Sequence, residues 1–477
     1  MNPIAKRQFT LEDLKWFAGV SGDWNPVHVD VVAARRLLAG GVVVHGIFTL
    51  LWALNEFCRL NVGGLGNIRA RFLRPVLLRQ TLFLSKEKNV DDDIRLSVRS
   101  SSEEMATIWV KSGEVGLTDL VLSEAPAKNG PLDYSFEDLK PLSGTITATG
   151  SVAEFSRIFP HLSSSLGLLP MASLVVLSRL VGMQCPGLNS LLTGLNVKVH
   201  SEENKPEISW EVIRHTVALA PIRIQINGGG LAGSVDAFFR PRPVDQPSME
   251  TVASAVKPDI FAGQVAWVIG GSRGLGELTA KIIVAGGGEV VISYLLGMAD
   301  AKRIQEEIIS WGGSCKIVQM DVEHPDTSID EVLAMPLKLS HLYYFASPRI
   351  SQSKSSIFDT SLYEIFNRIY VTAFGKIMIA LSKRMDQGCC VFYPSTVFLD
   401  ELPPDFGEYI AAKAAGESLC KHLGRHINDI PIIVRRLPML PTDQTEGLVR
   451  KNMADPLVEL YGIVSQLHLR FKEKCKC

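Results

Sequence analysis

The sequence predicts two kinds of fold in one chain: an α+β part, in which helices lie on antiparallel strands, and an α/β part with a doubly wound parallel sheet. The chain has 477 residues, too many for one ordinary core, so two or three domains are expected. In its first half, alternating stretches follow apolar helices. From about Phe261, short apolar strands instead alternate with helical segments, which is typical of a parallel sheet covered on both faces.

The charge balance favours a small-molecule substrate. The 49 Lys and Arg residues nearly offset the 50 Asp and Glu residues and are scattered along the chain, so no nucleic-acid partner is expected. The opening residues lack an apolar signal region, and the longest apolar stretch, 42–54, is too short for a membrane span, so a cytoplasmic location is expected. The eight cysteines show neither metal-ligand spacing nor a disulfide pattern, so no metal is expected.

The first predicted domain covers residues 1–118. A helix is expected from Leu11 to Val20 and a longer apolar helix from Ile47 to Leu60. The stretches IRARFLRPV, TLFLSKEK, IRLSVRS and TIWVKSGEV then read as strands. One long helix followed by antiparallel strands indicates an α+β layer fold.

A second predicted domain, residues 144–244, repeats this order. An apolar helix near 168–182 precedes the strands LLTGLNVKV, EISWEVIRH, IRIQINGG and SVDAFFRP. We interpret it as a degenerate second copy of the first domain. The proline-rich stretch 240–259 is predicted to be a linker, and the third domain covers 261–477.

The first candidate site is the segment SGDWNPVHVD. Asp23 and His28 can converge on one water or one substrate proton, since Pro26 stiffens the turn between them and both groups exchange protons near neutral pH. The residues alone leave another reading open, because Asp and Asn are common turn formers and His28 could be a buried structural histidine.

Three blocks in order, SGDWNPVHVD, GGVVVHGIFTL and ARFLRPVLLRQTL, make the first 115 or so residues resemble the MaoC-like, R-specific enoyl-CoA hydratases. The resemblance implies a hot-dog fold, with the 144–244 domain as a degenerate second hot-dog. It implies that Asp23 and His28 are the catalytic dyad, which adds or removes water at C2 and C3 of an acyl thioester, and that Asn25 orients them. It also implies that the thioester carbonyl lies at Gly46, where a helix N-terminus stabilises an enolate-like oxygen.

Residues outside the dyad are predicted to be structural or to shape the substrate channel. His45 matches the histidine of the family's HG block and is expected to shape the substrate channel. The second domain has no Asp and His at the matching spacing, and its lone His161 reads as structural. A degenerate half would widen the channel for a longer acyl chain, with Leu169 and Met171 as the candidate channel residues.

The second candidate site begins where the strand VAWVI runs into GGSRGLG. Gly270, Gly274 and Gly276 have the spacing GxxxGxG between a strand and a helix, where backbone N–H groups can approach a dinucleotide pyrophosphate. Ser272, Arg273 and Leu275 complete the predicted cofactor loop. The next strand ends at Ser293 and Tyr294 without an acid, and Arg273 can meet a 2′-phosphate, so NADPH is favoured and NADH stays open.

Further along, Tyr409 and Lys413 lie four residues apart on a predicted helix, and Ser395 ends the strand CCVFYPS. With the glycine loop, these residues resemble the short-chain dehydrogenase/reductase family over the last 215 or so residues, which implies a Rossmann fold. The resemblance implies that Tyr409 is the proton donor or acceptor, that Lys413 acidifies it, and that Ser395 holds the substrate carbonyl. Thr396 is the alternative to Ser395, because the serine-to-tyrosine spacing is ambiguous.

The resemblance also places Asp321 and Val322 at the adenine edge, although Asp321 could equally cap its loop, and makes Thr442 a contact to the nicotinamide amide. The chain departs from the family at three points. The family's NNAG reads YFAS at 344–347, the helix Asn of the catalytic tetrad falls on Ile369, and the final strand that helps build the family's tetramer is missing. We therefore expect a different homo-oligomer.

The fusion suggests one reaction sequence, because ketone reduction and dehydration share a 3-hydroxyacyl intermediate. The hypothesis is NADPH-dependent reduction of a 3-oxoacyl thioester followed by dehydration of the (3R)-hydroxyacyl product, or the reverse hydration and oxidation. The substrate would be an acyl-CoA or an acyl-carrier-protein thioester. Two alternatives stay open: a hydratase with a non-catalytic nucleotide-binding reductase domain, and a non-catalytic acyl-thioester or carrier-protein binding component.

Overall fold

The chain forms two compact units, residues 1–242 and 243–477, in a computed structural model. The structure describes residues 3–37, 39–61, 63–87, 93–101, 103–115, 121–139, 142–215, 221–350, 357–385, 388–427, 430–445 and 453–474.

The first unit is a ten-stranded antiparallel sheet with helices packed on it. Its strands are β1 Ala5–Arg7, β2 Gly64–Phe72, β3 Leu82–Glu87, β4 Ile94–Arg99, β5 Glu104–Gly113, β6 Ser143–Thr147, β7 Ser190–Val199, β8 Glu207–His215, β9 Pro221–Gly228 and β10 Leu231–Phe239. Its helices are α1 Leu11–Ser21, α2 Pro26–Val29, α3 Val31–Ala34, α4 Gly46–Leu60, α5 Val152–Ile158, α6 Pro160–Leu166 and α7 Leu168–Arg179, with a 3₁₀ turn at Glu137–Leu139 and a π-helical turn at Leu180–Gln184.

The strand order of this sheet has an internal correspondence. The order is β1-β3-β4-β5-β2-β7-β10-β9-β8-β6. Counted outward from the central β2–β7 pair, the strands of the two halves follow one another in the same order. β5 corresponds to β10, β4 to β9, β3 to β8 and β1 to β6. In both halves the long apolar helix, α4 or α7, comes directly before the central strand.

Local sequence explains the principal helices of this unit. Thr10 and Asp13 form a reciprocal capping box at the start of α1, and Gly22 ends the helix in the left-handed conformation with φ 74°. The sequence of α7 is apolar on all sides, and every one of its residues is buried. α4 is buried over most of its length. These two helices form the centre of the hydrophobic core.

The second unit has a six-stranded parallel sheet in the order β13-β12-β11-β14-β15-β16. The strands are β11 Val265–Ile269, β12 Glu289–Tyr294, β13 Ser314–Gln319, β14 His341–Tyr344, β15 Cys390–Thr396 and β16 Ile432–Leu437. The helices are α8 Met249–Ala255, α9 Gly274–Ala285, α10 Met298–Ser310, α11 Asp326–Leu333, α12 Thr360–Asn367, α13 Phe374–Arg384, α14 Phe398–Glu401, α15 Gly407–His426 and α16 Pro456–Lys474, with a π-helical turn at Arg368–Ala373 and a 3₁₀ turn at Pro404–Phe406. The predicted parallel sheet is confirmed.

The predicted linker 240–259 is wrong in part. Within it, α8 is helical and packs on α9, because Met249, Val252 and Val256 recur at helical spacing and are buried in the core of the second unit. The stretch Thr360–Arg384 is long and apolar enough to cross a membrane by length and composition alone. Here it is a core helix, since Phe374, Ile377 and Leu381 are buried.

Candidate active sites

The SGDWNPVHVD segment leaves α1, turns at Gly22 and enters the short helix α2, which carries His28. Asn25 shapes this turn with both ends of its side chain. Its Oδ1 accepts from Val27 N at 3.2 Å, while its Nδ2 donates to Gly182 O at 2.8 Å in the second half. Its backbone N–H donates to Asp23 Oδ1 at 3.2 Å. Asn25 therefore orients both members of the predicted dyad.

The hydrogen bonding of His28 fixes which of its ring nitrogens can do chemistry. Nδ1 lies 2.7 Å from Val43 O, and a carbonyl only accepts, so Nδ1 carries the proton in the neutral ring. Nε2 is left unprotonated and lies 3.9 Å from Asp23 Oδ2. That separation is too long for a direct hydrogen bond, so one water or one substrate oxygen can bind to both atoms.

Asp23 is held by a residue that the sequence analysis missed. Ser178, at the end of α7, donates its hydroxyl to Asp23 Oδ2 at 2.6 Å. Gly182 lies so close that a Cβ there would collide with the Asp23 carboxylate. No local motif marks Ser178, because it is 155 residues from Asp23 along the chain. The second half thus supplies part of the site, although it lacks an Asp and His pair of its own.

Burial shifts the protonation of the pair toward neutral forms. It raises the pKa of Asp23, while the neighbouring His28 and the hydrogen bonds from Ser178 and Asn25 lower it. Burial also lowers the pKa of His28, against the raising effect of Asp23. At neutral pH His28 is therefore a neutral base.

His45 lies behind the dyad rather than in the channel, so its predicted role is wrong. It is fully buried, stacks on His28 with ring centroids 3.8 Å apart, and approaches Asp23 O through Nε2 at 3.1 Å. Burial holds its pKa well below the usual range. The ligand atoms of Asp23, His28 and His45 all lie within 4.8 Å of one another.

The dyad faces a pocket that opens to solvent. Asp23, His28 and Gly46 line it, together with apolar residues from the sheet. No side chain caps the start of α4, and its first residue, Gly46, lines the pocket. The second half contributes Val181, Leu191, Leu192, Ser178, Gly182, Ser190 and Thr193 to the lining. Leu169 and Met171 are instead fully buried in the core and do not line the pocket, so their predicted role is wrong.

In the second unit, the glycine loop joins β11 to α9 as predicted. Gly270 has φ 79°, and a Cβ there would lie 2.8 Å from Ala346 N. A Cβ on Gly276 would collide with Gly270 O, whereas the same position on Gly274 is open. α9 has no side-chain cap. The backbone packs closely at Gly270 and Gly276 and is open at Gly274, so the loop forms a cradle that fits a dinucleotide pyrophosphate.

The other predicted cofactor residues lie around this loop. Arg273 is the N-cap residue of α9, 3.4 Å from Asp443. Ser272 is buried and Leu275 is partly buried against the core. Thr442 lies beside Gly274, since its Cγ2 is 3.9 Å from the position that a Cβ there would take. Val322 packs partly on the core.

Asp321 is a loop cap, the second of the two readings that the sequence left open. It accepts from Glu323 N at 3.0 Å and lies 3.2 Å from His324 Nδ1. The Glu323 N–H is the largest cause that lowers the pKa of Asp321. The last two residues of strand β12 are Ser293 and Tyr294, and neither is an acid. Both are buried, and Ser293 accepts a hydrogen bond from Trp267 Nε1 at 2.6 Å.

Ser395 does not lie with the predicted catalytic tyrosine, which corrects its assigned role. Its hydroxyl donates to Glu417 Oε1 at 2.6 Å, and Glu417 also binds Arg436. Thr396, the alternative, instead shares a hydrogen bond with Tyr409, and this bond lowers the pKa of Tyr409 against the larger effect of burial, which raises it to about 12. Both hydroxyls thus contact α15 Gly407–His426, Ser395 at Glu417 and Thr396 at Tyr409.

Lys413 lies one helical turn after Tyr409, as predicted, and is buried. Its Nζ donates to Pro394 O at 2.7 Å and lies 3.9 Å from the ring centroid of Tyr370. Burial lowers the pKa of Lys413 to about 7. The ammonium form is therefore easily lost near neutral pH.

The YFAS segment and the turn that lacks the tetrad Asn, two departures from the family pattern, are in contact. Tyr370 belongs to the π-helical turn where the tetrad Asn was expected, and its hydroxyl lies 2.6 Å from Ser347 Oγ in the YFAS segment. Tyr393 and Tyr344 donate to the carbonyls of Tyr370 and Ile369, at 3.0 and 2.7 Å. The turn that would carry the Asn is thus held by a set of buried tyrosines.

The parallel sheet, the glycine cradle and the buried Tyr409–Lys413 pair are features of a dinucleotide-binding oxidoreductase domain, and in the first unit Asp23 and His28 meet at one pocket. Residues 2–107 match the sequence profile of the MaoC like domain. Residues 264–451 match that of the short chain dehydrogenase. The chain therefore joins a MaoC-like domain to a short-chain dehydrogenase domain, and the predicted fusion is confirmed.

Individual relatives are similar to part of the chain. An NADPH-dependent aldehyde reductase-like protein, chloroplastic, of Arabidopsis thaliana is 27% identical over 199 residues, 38% of this chain and 73% of the relative. A 3-oxoacyl-(acyl-carrier-protein) reductase of Synechocystis is 25% identical over 212 residues, 42% of this chain and 81% of the relative. A short chain dehydrogenase from Burkholderia cenocepacia solved with NADP has 20% identity and a TM-score of 0.40, covering 44% of this chain and 91% of its own.

Proposed function

We propose that the first unit is a double hot-dog hydratase or dehydratase that acts on an acyl thioester. The observation that carries the proposal is the pair of Asp23 Oδ2 and unprotonated His28 Nε2, 3.9 Å apart and facing an apolar pocket. Two proton-exchanging atoms at this separation can hold one water between them. The adjacent N-terminus of α4 at Gly46 is placed to stabilise negative charge on the thioester oxygen.

In the hydration direction, the oxygen of the bound water forms a bond to C3 of the enoyl thioester. His28 Nε2 takes a proton from that water, and a proton is returned to C2, so the pair ends in its starting state. Asp23 orients the water and stabilises the imidazolium that forms. Dehydration follows the same steps in reverse, with the proton leaving C2 and the hydroxyl leaving C3 as water.

We propose further that the second half is a copy of the first that has lost the dyad. The one-to-one strand correspondence supports a common fold. Its role in the site would be positional, because Ser178 holds Asp23 and the Gly182 carbonyl holds Asn25. Val181, Leu191 and Leu192 would shape the acyl channel.

The second unit is proposed to reduce a 3-oxoacyl thioester with NADPH. The glycine cradle of Gly270, Gly274 and Gly276 would hold the dinucleotide, and Arg273 would face the 2′-phosphate. The cofactor supplies the hydride. Thr396 would hold the substrate carbonyl, and Tyr409 would deliver its phenolic proton to the oxygen, with Lys413 stabilising the phenolate.

The two reactions share the 3-hydroxyacyl thioester, so the product of the second unit is the substrate of the first. We therefore propose a bifunctional enzyme for a CoA or carrier-protein thioester, in which reduction precedes dehydration. Relatives include a 3-oxoacyl-(acyl-carrier-protein) reductase, which is consistent with this substrate class.

Separate assays of the two units test the proposal. Hydration of crotonyl-CoA, followed by loss of absorbance of the conjugated thioester, should disappear in Asp23→Asn and persist in Tyr409→Phe. Oxidation of NADPH by acetoacetyl-CoA should show the opposite pattern. Release of free thiol from acyl-CoA in place of hydration would indicate a thioesterase and overturn the assignment.

One observation favours a second candidate for the reductase unit. Lys413 Nζ is engaged by Pro394 O and the Tyr370 ring, and the tetrad Asn is absent, which suits a unit that binds a nucleotide without turnover. Under this alternative, NADPH binding would be detected by fluorescence while no 3-oxoacyl-CoA of any chain length is reduced.

A further inference from the structure

Arg240 follows β10 and is buried, with 4% of its surface exposed. It bonds to three successive carbonyls of one loop: its backbone N–H donates to Asn189 O at 2.6 Å, Nε to Ser190 O at 2.9 Å and Nη2 to Leu188 O at 2.6 Å. A planar guanidinium is suited to such a fork of acceptors, and a lysine could not reproduce it. Arg240 therefore clamps the loop that precedes β7.

The clamped loop is the one on which the catalytic segment is anchored. Asn25 Nδ2 shares its donors among Gly182 O, Gly187 O and Leu188 O, at 2.8, 3.2 and 3.3 Å. Arg240 and Asn25 thus bind the same Leu188 carbonyl. Through Asn25 this contact reaches the start of α2 and so the ring of His28.

Arg240 is also a buried charge, and it shares the Leu188 carbonyl with Asn25, whose backbone N–H bonds Asp23. Its bonds are to neutral carbonyls, and Nη1 has no hydrogen-bond partner among the residues that the structure describes. Burial lowers the pKa of Arg240 to about 10, so the group is still cationic at neutral pH. A buried cation held only by carbonyls costs more free energy than a paired one.

We infer that Arg240 is a positioning residue of the hydratase site: it clamps the loop that anchors Asn25, and its positive charge adds to the effect of burial in disfavouring the imidazolium form of His28. This role rests on the hydratase function proposed above. The other groups that face His28 are Asp23, which favours the imidazolium, and His45, which is buried and neutral. The charge of Arg240 acts on the protonation of His28 in the direction opposite to that of Asp23.

Two variants separate the charge from the clamp. Arg240→Gln keeps a donor for Leu188 O but removes the charge, whereas Arg240→Lys keeps the charge and loses the fork. The titration of His28 is followed by NMR of histidine labelled at Cε1, with the signal assigned through His28→Gln. Arg223→Gln, at a half-exposed arginine of β9 that pairs with Asp236, is the matched control.

The inference predicts that the His28 midpoint rises on the order of half a pH unit in Arg240→Gln and stays near the wild-type value in Arg240→Lys and Arg223→Gln. The acid limb of kcat/KM for crotonyl-CoA should move upward in the same order, while kcat falls in both Arg240 variants. A midpoint that is unchanged in Arg240→Gln, or that moves equally in the two Arg240 variants, would overturn it. If the wild type hydrates no enoyl thioester, the proposed function fails, and the His28 titration still decides the effect of Arg240.

Discussion

Ser178 donates its hydroxyl to Asp23 at 2.6 Å, so the half of the first unit that has no dyad holds the carboxylate of the half that has one. The same oxygen, Oδ2, is the one that faces His28 Nε2. The two halves of the unit therefore build one site together, and the second half cannot be regarded as a spacer.

Ser178→Ala tests this relationship. We expect kcat for enoyl-CoA hydration to fall about 10- to 100-fold, because a hydrogen bond to a charged group contributes about 1.5–3 kcal/mol. Loss of that bond also raises the pKa of Asp23, so the acid limb of the rate profile should move to higher pH. Ser173→Ala is the matched control, since Ser173 is buried on the same helix and bonds Gly229 O. Equal losses in both variants would contradict a specific role for Ser178.

The reductase site makes an equally direct prediction about two adjacent hydroxyls. Thr396→Ala should reduce the rate of 3-oxoacyl-CoA reduction about 10²- to 10³-fold, since it removes a donor from the substrate oxygen. Ser395→Ala should cost much less activity and act mainly on stability, because Ser395 is bonded to Glu417. Steady-state kinetics and thermal unfolding of the two variants decide the matter, and the reverse order of activities would restore Ser395 as the catalytic hydroxyl.

Tyr370 should influence the reductase through Lys413. Tyr370→Leu removes the ring face that stabilises the ammonium, so the pKa of Lys413, already lowered to about 7, should fall further. Activity that needs the ammonium is lost as pH rises through this pKa, so the falling limb of kcat/KM should move to lower pH. Tyr370→Phe keeps the ring and loses only the hydroxyl near Ser347, so its falling limb should stay in place. Identical profiles for Tyr370→Leu and the wild type would contradict the contact's role.

A pair of buried histidines predicts acid sensitivity of the second unit. His341 on β14 stacks near His468 on α16, with ring centroids 5.7 Å apart, and burial lowers their pKa values to about 3 and about 4. Below the unfolded-state value of 6.5 the unfolded chain binds protons that the folded unit does not, so the free energy of unfolding falls as pH decreases toward 4. Urea unfolding at pH 7.5 and 5.0 should show a smaller pH dependence in His468→Leu. Exposed His422→Leu should behave as the wild type, and a similar slope in both variants would count against the pair.

Site residues that lie close together in the sequence could be predicted from it, whereas those far apart in the sequence could not. Asp23, Asn25 and His28 lie within six residues of one another, and Tyr409 and Lys413 share one helical turn, so local pattern was enough to find them. Ser178 and Arg240 act on the dyad only because β2 and β7 bring the two halves into one sheet. The choice between Ser395 and Thr396 depended on which residue of α15 each hydroxyl contacts, Glu417 or Tyr409, and the spacing alone left it open.

Two predictions about the fold were wrong because packing in the core was not taken into account. The prolines of 240–259 indicated a linker, but the apolar spacing of Met249, Val252 and Val256 determined a packed helix. Leu169 and Met171, the candidate channel residues of the second half, do not line the pocket, because all sides of α7 are buried and only its end reaches the pocket.

The central claim, that one chain reduces and then dehydrates an acyl thioester, is tested most directly by mixing the purified protein with NADPH and acetoacetyl-CoA and identifying the products by mass. Crotonyl-CoA should form together with 3-hydroxybutyryl-CoA. Tyr409→Phe should prevent both products, and Asp23→Asn should leave only the 3-hydroxyacyl compound. NADPH that stays unoxidised with 3-oxoacyl-CoA substrates of several chain lengths, while crotonyl-CoA is still hydrated, would contradict the two-step account.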